Sequence, residues 1–275
     1  MAYTFKNDQI NKNDLWEIRK EIYHSNNQGF YIFRNYIKEE FVQSIIEYWC
    51  YNSPHKKSHK KFKDKSTDFY INCPSYFLEN GENKVFYNPF WSNNYDPLTN
   101  ELSLAICTLR AQIEGKQLAN EIMPRINKRC VIPRLIITKN GENIIKPHSD
   151  YGINEKDPNN IDIGRLQCTL FLSKNKYDYT GSGFVFTNNA GRKINIAKDY
   201  KINPGDLVIW KYNNIHEIKD IKTTSQKIGF VRMIFPLEII KEKTLFNISS
   251  LRILDIVKLI IPKKIKLFIR NKIKR

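Results

Sequence analysis

The sequence predicts an α+β protein in which helices support a core of short antiparallel strands, closed as a barrel or jelly roll and followed by a basic helical tail. Three observations carry this reading. From about residue 129 to residue 238 the chain breaks into eight short β-type runs separated by turn signals. No helical pattern intervenes between those runs, so the crossovers of a parallel sheet are missing. Helical spacing of apolar residues is found on either side of them.

Residues 1–128 read as N-terminal helical support with substrate loops. "NDLWEIRKEIYHS" is polar and helix-like. "GFYIFRNYI" reads as a strand by its glycine boundary and its aromatic and β-branched content. "KEEFVQSIIEYWCY" places Phe41, Ile45, Ile46 and Trp49 at helical spacing. Residues 51–97 read as loops, and 98–125 as the clearest helix, with Leu98, Leu102, Ala105, Ile106, Leu109 and Ile113 on one face. The core, 129–238, carries the runs "CVIPRLIIT", "ENIIKPH", "RLQCTLFLS", "GFVFTN", "KINIA", "DLVIWKY", "IHEIK" and "KIGFVRMIF". Turns fall at "NG" 140–141, "GSG" 181–183, "NNAG" 188–191 and "NPGD" 203–206. Residues 239–275 form the tail.

Composition narrows the function. With 41% hydrophobic residues, 15 Tyr and 16 Phe in 275 residues, the chain has ample material for a core and is not of the disordered class. The five cysteines, at 50, 73, 107, 130 and 168, are odd in number and form no C-x-x-C, which argues against a disulfide scaffold and a zinc ribbon. The opening "MAYTFKNDQINKND" has no apolar run and no stretch approaches the roughly 18 apolar residues of a spanning helix, so a cytoplasmic protein is expected. The net charge of +17 favours acidic partners. Much of it sits in the tail, where residues 241–275 hold 11 Lys and Arg against two acids, and in "HKKSHKKFKDK" at 55–65. His55 and His59 stand four apart in that second run, but its lysines repel a cation; it reads as a solvated loop, or as a basic lid that draws in an anionic substrate.

The chemistry starts at "KPHSDYG". His148 and Asp150 stand one residue apart and, in extended chain, point to one side, so they can bind one ion together. Alone, the pair reads better as a polar turn with a chance histidine. His216 changes the balance: it opens a strand just past the "NPGD" turn, and a strand across the barrel can bring it to the same ion. Two histidines and one carboxylate on one face of an octahedron leave three positions free, the pattern suited to non-haem Fe(II). Further on, Arg232 interrupts an apolar strand, where a cation is costly without an anion. It can anchor a carboxylate of a co-substrate such as 2-oxoglutarate, with Lys227 as the alternative, or pair structurally with Glu238. On the run 165–173, Arg165, Gln167 and Thr169 share a face that either lines a pocket or meets water; Cys168 lies on the apolar face and reads as core. Tyr151, after the clamp, is placed to border a substrate.

The succession "LIITKNGENIIKPHSDYG", "RLQCTLFLS", "GSGFVF", "INPGDLVIWKYNNIHE" and "KIGFVRMIFP" resembles the catalytic core of the Fe(II)/2-oxoglutarate-dependent dioxygenases, most of all their prolyl-hydroxylase and phytanoyl-CoA-hydroxylase-like branches. The resemblance implies a double-stranded β-helix (jelly-roll, cupin-like) core, with His148, Asp150 and His216 as iron ligands and Arg232 as the 2-oxoglutarate anchor. Several relatives place Ser or Thr two residues after the anchor, where this chain has Ile234; the second hydrogen bond to the co-substrate then falls to Thr138, Gln167 or Thr169. The implied reaction consumes O₂ and 2-oxoglutarate, releases succinate and CO₂, and hydroxylates a substrate. The expected substrate is an anionic small molecule, a glycan or a lipid-linked intermediate.

Two other classes compete. A nucleic-acid demethylase on the same fold would suit the charge, but such enzymes commonly carry a second arginine six residues past the anchor, and position 238 is Glu. A non-oxidative cupin-like sugar-binding or isomerase module would use the barrel without iron. The tail "LRILDIVKLIIPKKIKLFIRNKIKR" has Ile265, Phe268, Ile269 and Ile273 on one stripe with cations mostly opposite. It reads either as a helix packed on its own domain or as a peripheral contact of 251–275 with an anionic membrane at its inner face.

Overall fold

A strand that buries both faces must lie between two layers. Leu166–Phe171 does so at every position. Leu166, Cys168 and Leu170 join one apolar cluster and Phe171 joins the other. A computed structural model of the chain describes residues 10–53, 76–80, 82–90, 96–123, 128–150, 164–224 and 226–239, all within one unit, Met1–Lys241. The basic run 55–65, Tyr151 and the tail 251–275 lie outside the described residues.

Among the described residues there are thirteen strands: β1 (Phe30–Phe33), β2 (Tyr76–Asn80), β3 (Asn83–Tyr87), β4 (Arg129–Val131), β5 (Arg134–Thr138), β6 (Gly141–His148), β7 (Leu166–Phe171), β8 (Gly183–Thr187), β9 (Lys193–Asn195), β10 (Leu207–Lys211), β11 (His216–Ile221), β12 (Phe230–Ile234) and β13 (Leu237–Ile239). The larger sheet runs β1-β10-β7-β12-β5-β3-β2 and the smaller β6-β11-β8-β9, with β13-β4 apart. Every pairing between these strands is antiparallel. The jelly-roll expectation therefore holds.

The helices α1 (Lys12–Tyr23), α2 (Glu39–Ile46) and α3 (Pro97–Glu114) pack on the outer face of the larger sheet, where Ile18, Ile22, Ile45, Leu102, Ile106 and Leu109 meet the outward residues of β5, β7 and β12. A one-turn helix, α4 (Ile196–Asp199), follows β9. Asn11 caps α1 by accepting from the Asp14 N–H, while the Asp14 carboxylate accepts from the Asn11 N–H, a reciprocal box. Between the two sheets lies the second cluster, rich in aromatics: Phe30, Phe171, Phe184, Phe186, Trp210 and Phe230. The "NPGD" turn ties the N-terminal segment to this frame. Gly205, at φ 90°, brings the turn so close that a Cβ there would sit 2.4 Å from the Ile37 carbonyl oxygen. Asp206, buried beside it, accepts from Arg34 and from the Asn35 N–H.

Three details depart from the sequence reading. The long helix ends at Glu114, not near 125, because Gly115 takes up a left-handed conformation at φ 69°. The segment 51–97 is not wholly loop: β2 and β3 form a hairpin that extends the larger sheet. Pro133 divides "CVIPRLIIT", so β4 pairs with β13 and β5 with β12. No described helix is long and apolar enough to cross a membrane.

Candidate metal centre

Strand register builds the site. β6 and β11 pair antiparallel with His148 opposite His216, and an irregularity in the pairing follows at once between His216 and Ile218. The third ligand group thus comes from the neighbouring strand, not from across the barrel as the sequence reading had it. Asp150, two residues past His148, falls on the same side. One ligand atom from each of the three lies within 4.8 Å of the others. Asp150 Oδ1 is 3.7 Å from His148 Nε2 and 3.8 Å from His216 Nε2.

The backbone fixes which nitrogen faces inward. His148 Nδ1 lies 2.8 Å from the Lys146 carbonyl, and His216 Nδ1 lies 3.3 Å from the Asn214 carbonyl. A carbonyl only accepts, so each Nδ1 carries the proton and each Nε2 turns a lone pair toward Asp150. His216 is buried, stacked edge-on against Trp210 at 4.4 Å and tilted against Phe184 at 5.7 Å. Burial pushes its imidazole down to about 4; Asp150 opposes the shift, while His148 and Arg232 add to it. A neutral imidazole with a free Nε2 is what a metal ligand requires.

Gln167, also buried, reaches into this cluster. Its Nε2 donates to Asp150 Oδ2 at 3.0 Å and its Oε1 accepts from the Cys168 N–H at 3.0 Å. Thr169, two residues on, accepts from Trp210 Nε1 at 3.4 Å. The polar face of β7 therefore points into the sandwich, and water is not its partner. Arg165, at the head of the strand, is taken up by Glu114 at 3.2 Å and Glu121 at 2.7 Å. Arg110 bonds Glu121 at 3.4 Å and the Phe235 carbonyl at 2.8 Å, so α3, β7 and the end of β12 are pinned together behind the site.

Arg232 lies on the inner face of β12, opposite Ile136 of β5 and Phe171 of β7. It is 3% exposed, stands 4.7 Å above the Phe230 ring, and donates to Thr138 Oγ1 at 3.3 Å. Thr138 in turn donates to Asn83 Oδ1 at 2.6 Å. Among the described residues no carboxylate lies within ion-pair distance of Arg232. Glu238 pairs with Arg134 instead. Lys227 lies outside β12, with its ammonium 3.7 Å over the Tyr177 ring. Burial lowers the Arg232 guanidinium to about 10, with Tyr179 acting against that.

Trp210, Asn83, Arg110, Glu114 and Glu121 were not singled out from the sequence. For Trp210 a signal existed: on β10 it alternates in phase with Val208, which faces the inner cluster. Asn83 had none, because its strand is embedded in a polar, loop-like stretch.

The fold and site thus define an antiparallel jelly roll with a His/Asp/His cluster of metal-ligating type where β6 ends and β11 begins. No family model matches the chain, and no curated protein does. Among solved structures, the chain is similar to a prolyl-4-hydroxylase from Pseudomonas putida, with 9% identity, a TM-score of 0.48, and coverage of 83% of this chain and 99% of that one. It is also similar to an oxidoreductase of the 2OG-Fe(II) oxygenase family from Burkholderia pseudomallei, at 9% identity, TM-score 0.46 and coverage of 85% and 96%. A third, HygX from Streptomyces hygroscopicus with nickel and 2-oxoglutarate bound, matches at 10% identity, TM-score 0.42 and coverage of 83% and 88%. Identities and scores this low leave the functional reading to the side chains themselves.

Proposed function

We propose that the chain is a non-haem Fe(II)- and 2-oxoglutarate-dependent oxygenase that hydroxylates its substrate. The observation that carries this is a pairing: three metal-type ligands converge at one end of the sandwich, and a buried arginine without an acidic partner among the described residues stands on the inner wall near them.

The residues fit the group. His148, Asp150 and His216 would hold the ion, with both imidazole tautomers already set for it, and would take half of an octahedron. Arg232, with Thr138 beside it, would bind the distal carboxylate of 2-oxoglutarate; a cation kept out of water at a cost of several kcal/mol needs such an anion. When bound, the metal would activate O₂, one oxygen atom going to the substrate and the other to succinate as CO₂ leaves. The chain's own part is to orient the ligands, keep His216 neutral and line the wall with aromatics that exclude water. Thr138 supports the carboxylate where Ile234 cannot. Gln167 and Thr169 are already engaged with Asp150 and Trp210.

For the substrate, the reading is an anionic small molecule, glycan or lipid-linked intermediate, supported by the net charge of +17. The test is anaerobic addition of Fe(II) and 2-oxoglutarate, which should give a weak visible band, followed by succinate release in air. His148→Ala and Asp150→Ala should lose both while melting as the parent does. Full turnover in either variant would end the proposal.

A further inference from the structure

We infer that Gln167 is a positioning residue for the metal carboxylate: its amide fixes Asp150 so that one oxygen faces both imidazoles and the other is held back. The inference rests on the metal-centre reading above. Four observations carry it. Gln167 is 2% exposed, so its amide must be satisfied inside the protein. Its Oε1 accepts from the Cys168 backbone N–H, which only donates; that settles the orientation of the amide and leaves the NH₂ group for Asp150. The NH₂ donates to Oδ2, while Oδ1 is the oxygen 3.7 and 3.8 Å from the two Nε2 atoms. Finally, Gln167 lies on β7 directly opposite Trp210 of β10, and Trp210 packs on His216. One rigid pair of strands therefore orients two of the three ligands.

The physical consequence concerns Asp150 above all. It lies two residues past the end of an edge strand, and its side chain is 23% exposed. A carboxylate in that position rotates about χ1 and χ2 and can swing into water or turn both oxygens to a cation. The hydrogen bond from Gln167 removes those alternatives before an ion arrives, which lowers the entropy lost on binding and favours one-oxygen coordination. Outer-shell hydrogen bonds of this kind are worth roughly 10–100-fold in metal affinity.

The test uses the full chain, metal-free, titrated with Co(II) alone, and follows both the dissociation constant and the visible absorption that reports coordination number. Gln167→Met keeps the length of the side chain and removes the donor. Its Co(II) affinity should fall by roughly 10–100-fold, and its absorption should change shape as Asp150 rebinds through both oxygens or through none. Ser173→Ala is the structural control. Its hydroxyl bonds the Val231 backbone just past the end of β7, away from the ligands. It should lower thermal stability and leave affinity and spectrum as they are. If Gln167→Met binds Co(II) as the parent does, with an unchanged spectrum, the role assigned to Gln167 is wrong and the metal centre stands. If both variants weaken binding in proportion to lost stability, Gln167 is only structural and the inference also fails. If the parent binds no Co(II), the metal centre falls and this inference with it.

Discussion

Arg232→Met is the perturbation whose sign separates a ligand anchor from a structural arginine. Burial lowers the Arg232 guanidinium to about 10, well below its usual value. At about 1.4 kcal/mol per tenfold change, holding that cation in the folded, ligand-free protein costs about 3 kcal/mol. The group is still protonated at pH 7. The unfolded chain binds its proton more tightly, so the cost is fully present below pH 10 and fades only as pH rises above it. Methionine removes the cost. It also removes the bond to Thr138 and the ring contact with Phe230, each worth about 1 kcal/mol. Ligand-free Arg232→Met should therefore be more stable than the parent by about 1 kcal/mol in urea unfolding at pH 7. With Mn(II) and 2-oxoglutarate present at a hundred times its dissociation constant, the parent should gain about 2.7 kcal/mol from the co-substrate, and the variant almost none of it. Removing one member of a true buried ion pair has the opposite sign, a loss of about 3–5 kcal/mol. Such a loss, with the co-substrate increment intact, would refute the anchor role.

Two further outcomes follow from the same accounting. His216 takes a proton near pH 6.5 when unfolded and only near 4 when folded, so between those values protons favour the unfolded chain. Metal-free protein should lose on the order of 3 kcal/mol through this group as pH falls from 6.5 to 4, and His216→Asn should flatten that part of the urea-measured pH profile; an equally steep profile in the variant would place the titration elsewhere. Arg165→Met leaves Glu114 and Glu121 facing each other with Arg110 as their remaining guanidinium, and should cost about 3–5 kcal/mol of stability in thermal or urea unfolding. A variant as stable as the parent would show the network to be dispensable.

The parts of the site legible in the sequence were those set by local geometry. His148 and Asp150 two apart in extended chain, and a histidine just past the turn that precedes it, could be read from spacing. The side of the barrel from which His216 arrives could not, because register between β6 and β11 is a non-local pairing that no window of sequence contains. Alternation placed Gln167 and Thr169 on one face but not their partners, and a buried polar face looks the same in sequence as a wetted one. The helix end at Gly115 was signalled by the glycine itself, and the apolar periodicity up to Ile113 drew attention past it. The hairpin of β2 and β3 did carry a turn signal, Asn80-Gly81, but its flanks, rich in Asn and Pro, read as loop.

The buried arginines show where sequence stops and geometry begins. Arg110 and Arg165 are, like Arg232, guanidiniums inside an apolar layer. Arg110 even interrupts the apolar stripe of α3 between Ile106 and Ile113, the same pattern that marked Arg232 on β12. What separates them is the carboxylates: Glu114 and Glu121 stand beside the first two, and Glu238 turns away from the third to Arg134. Burial lowers the Arg232 guanidinium, whereas at Arg110 the neighbouring groups, Cys107 first and then Glu114, Cys168 and Glu121, outweigh burial and raise it. An arginine in an apolar run is thus one signal with two causes, a lock between elements or a seat left for an anion. The second cause is assigned here because the uncompensated cation belongs to the same inner wall as the metal-type cluster, close enough for its charge to depress His216.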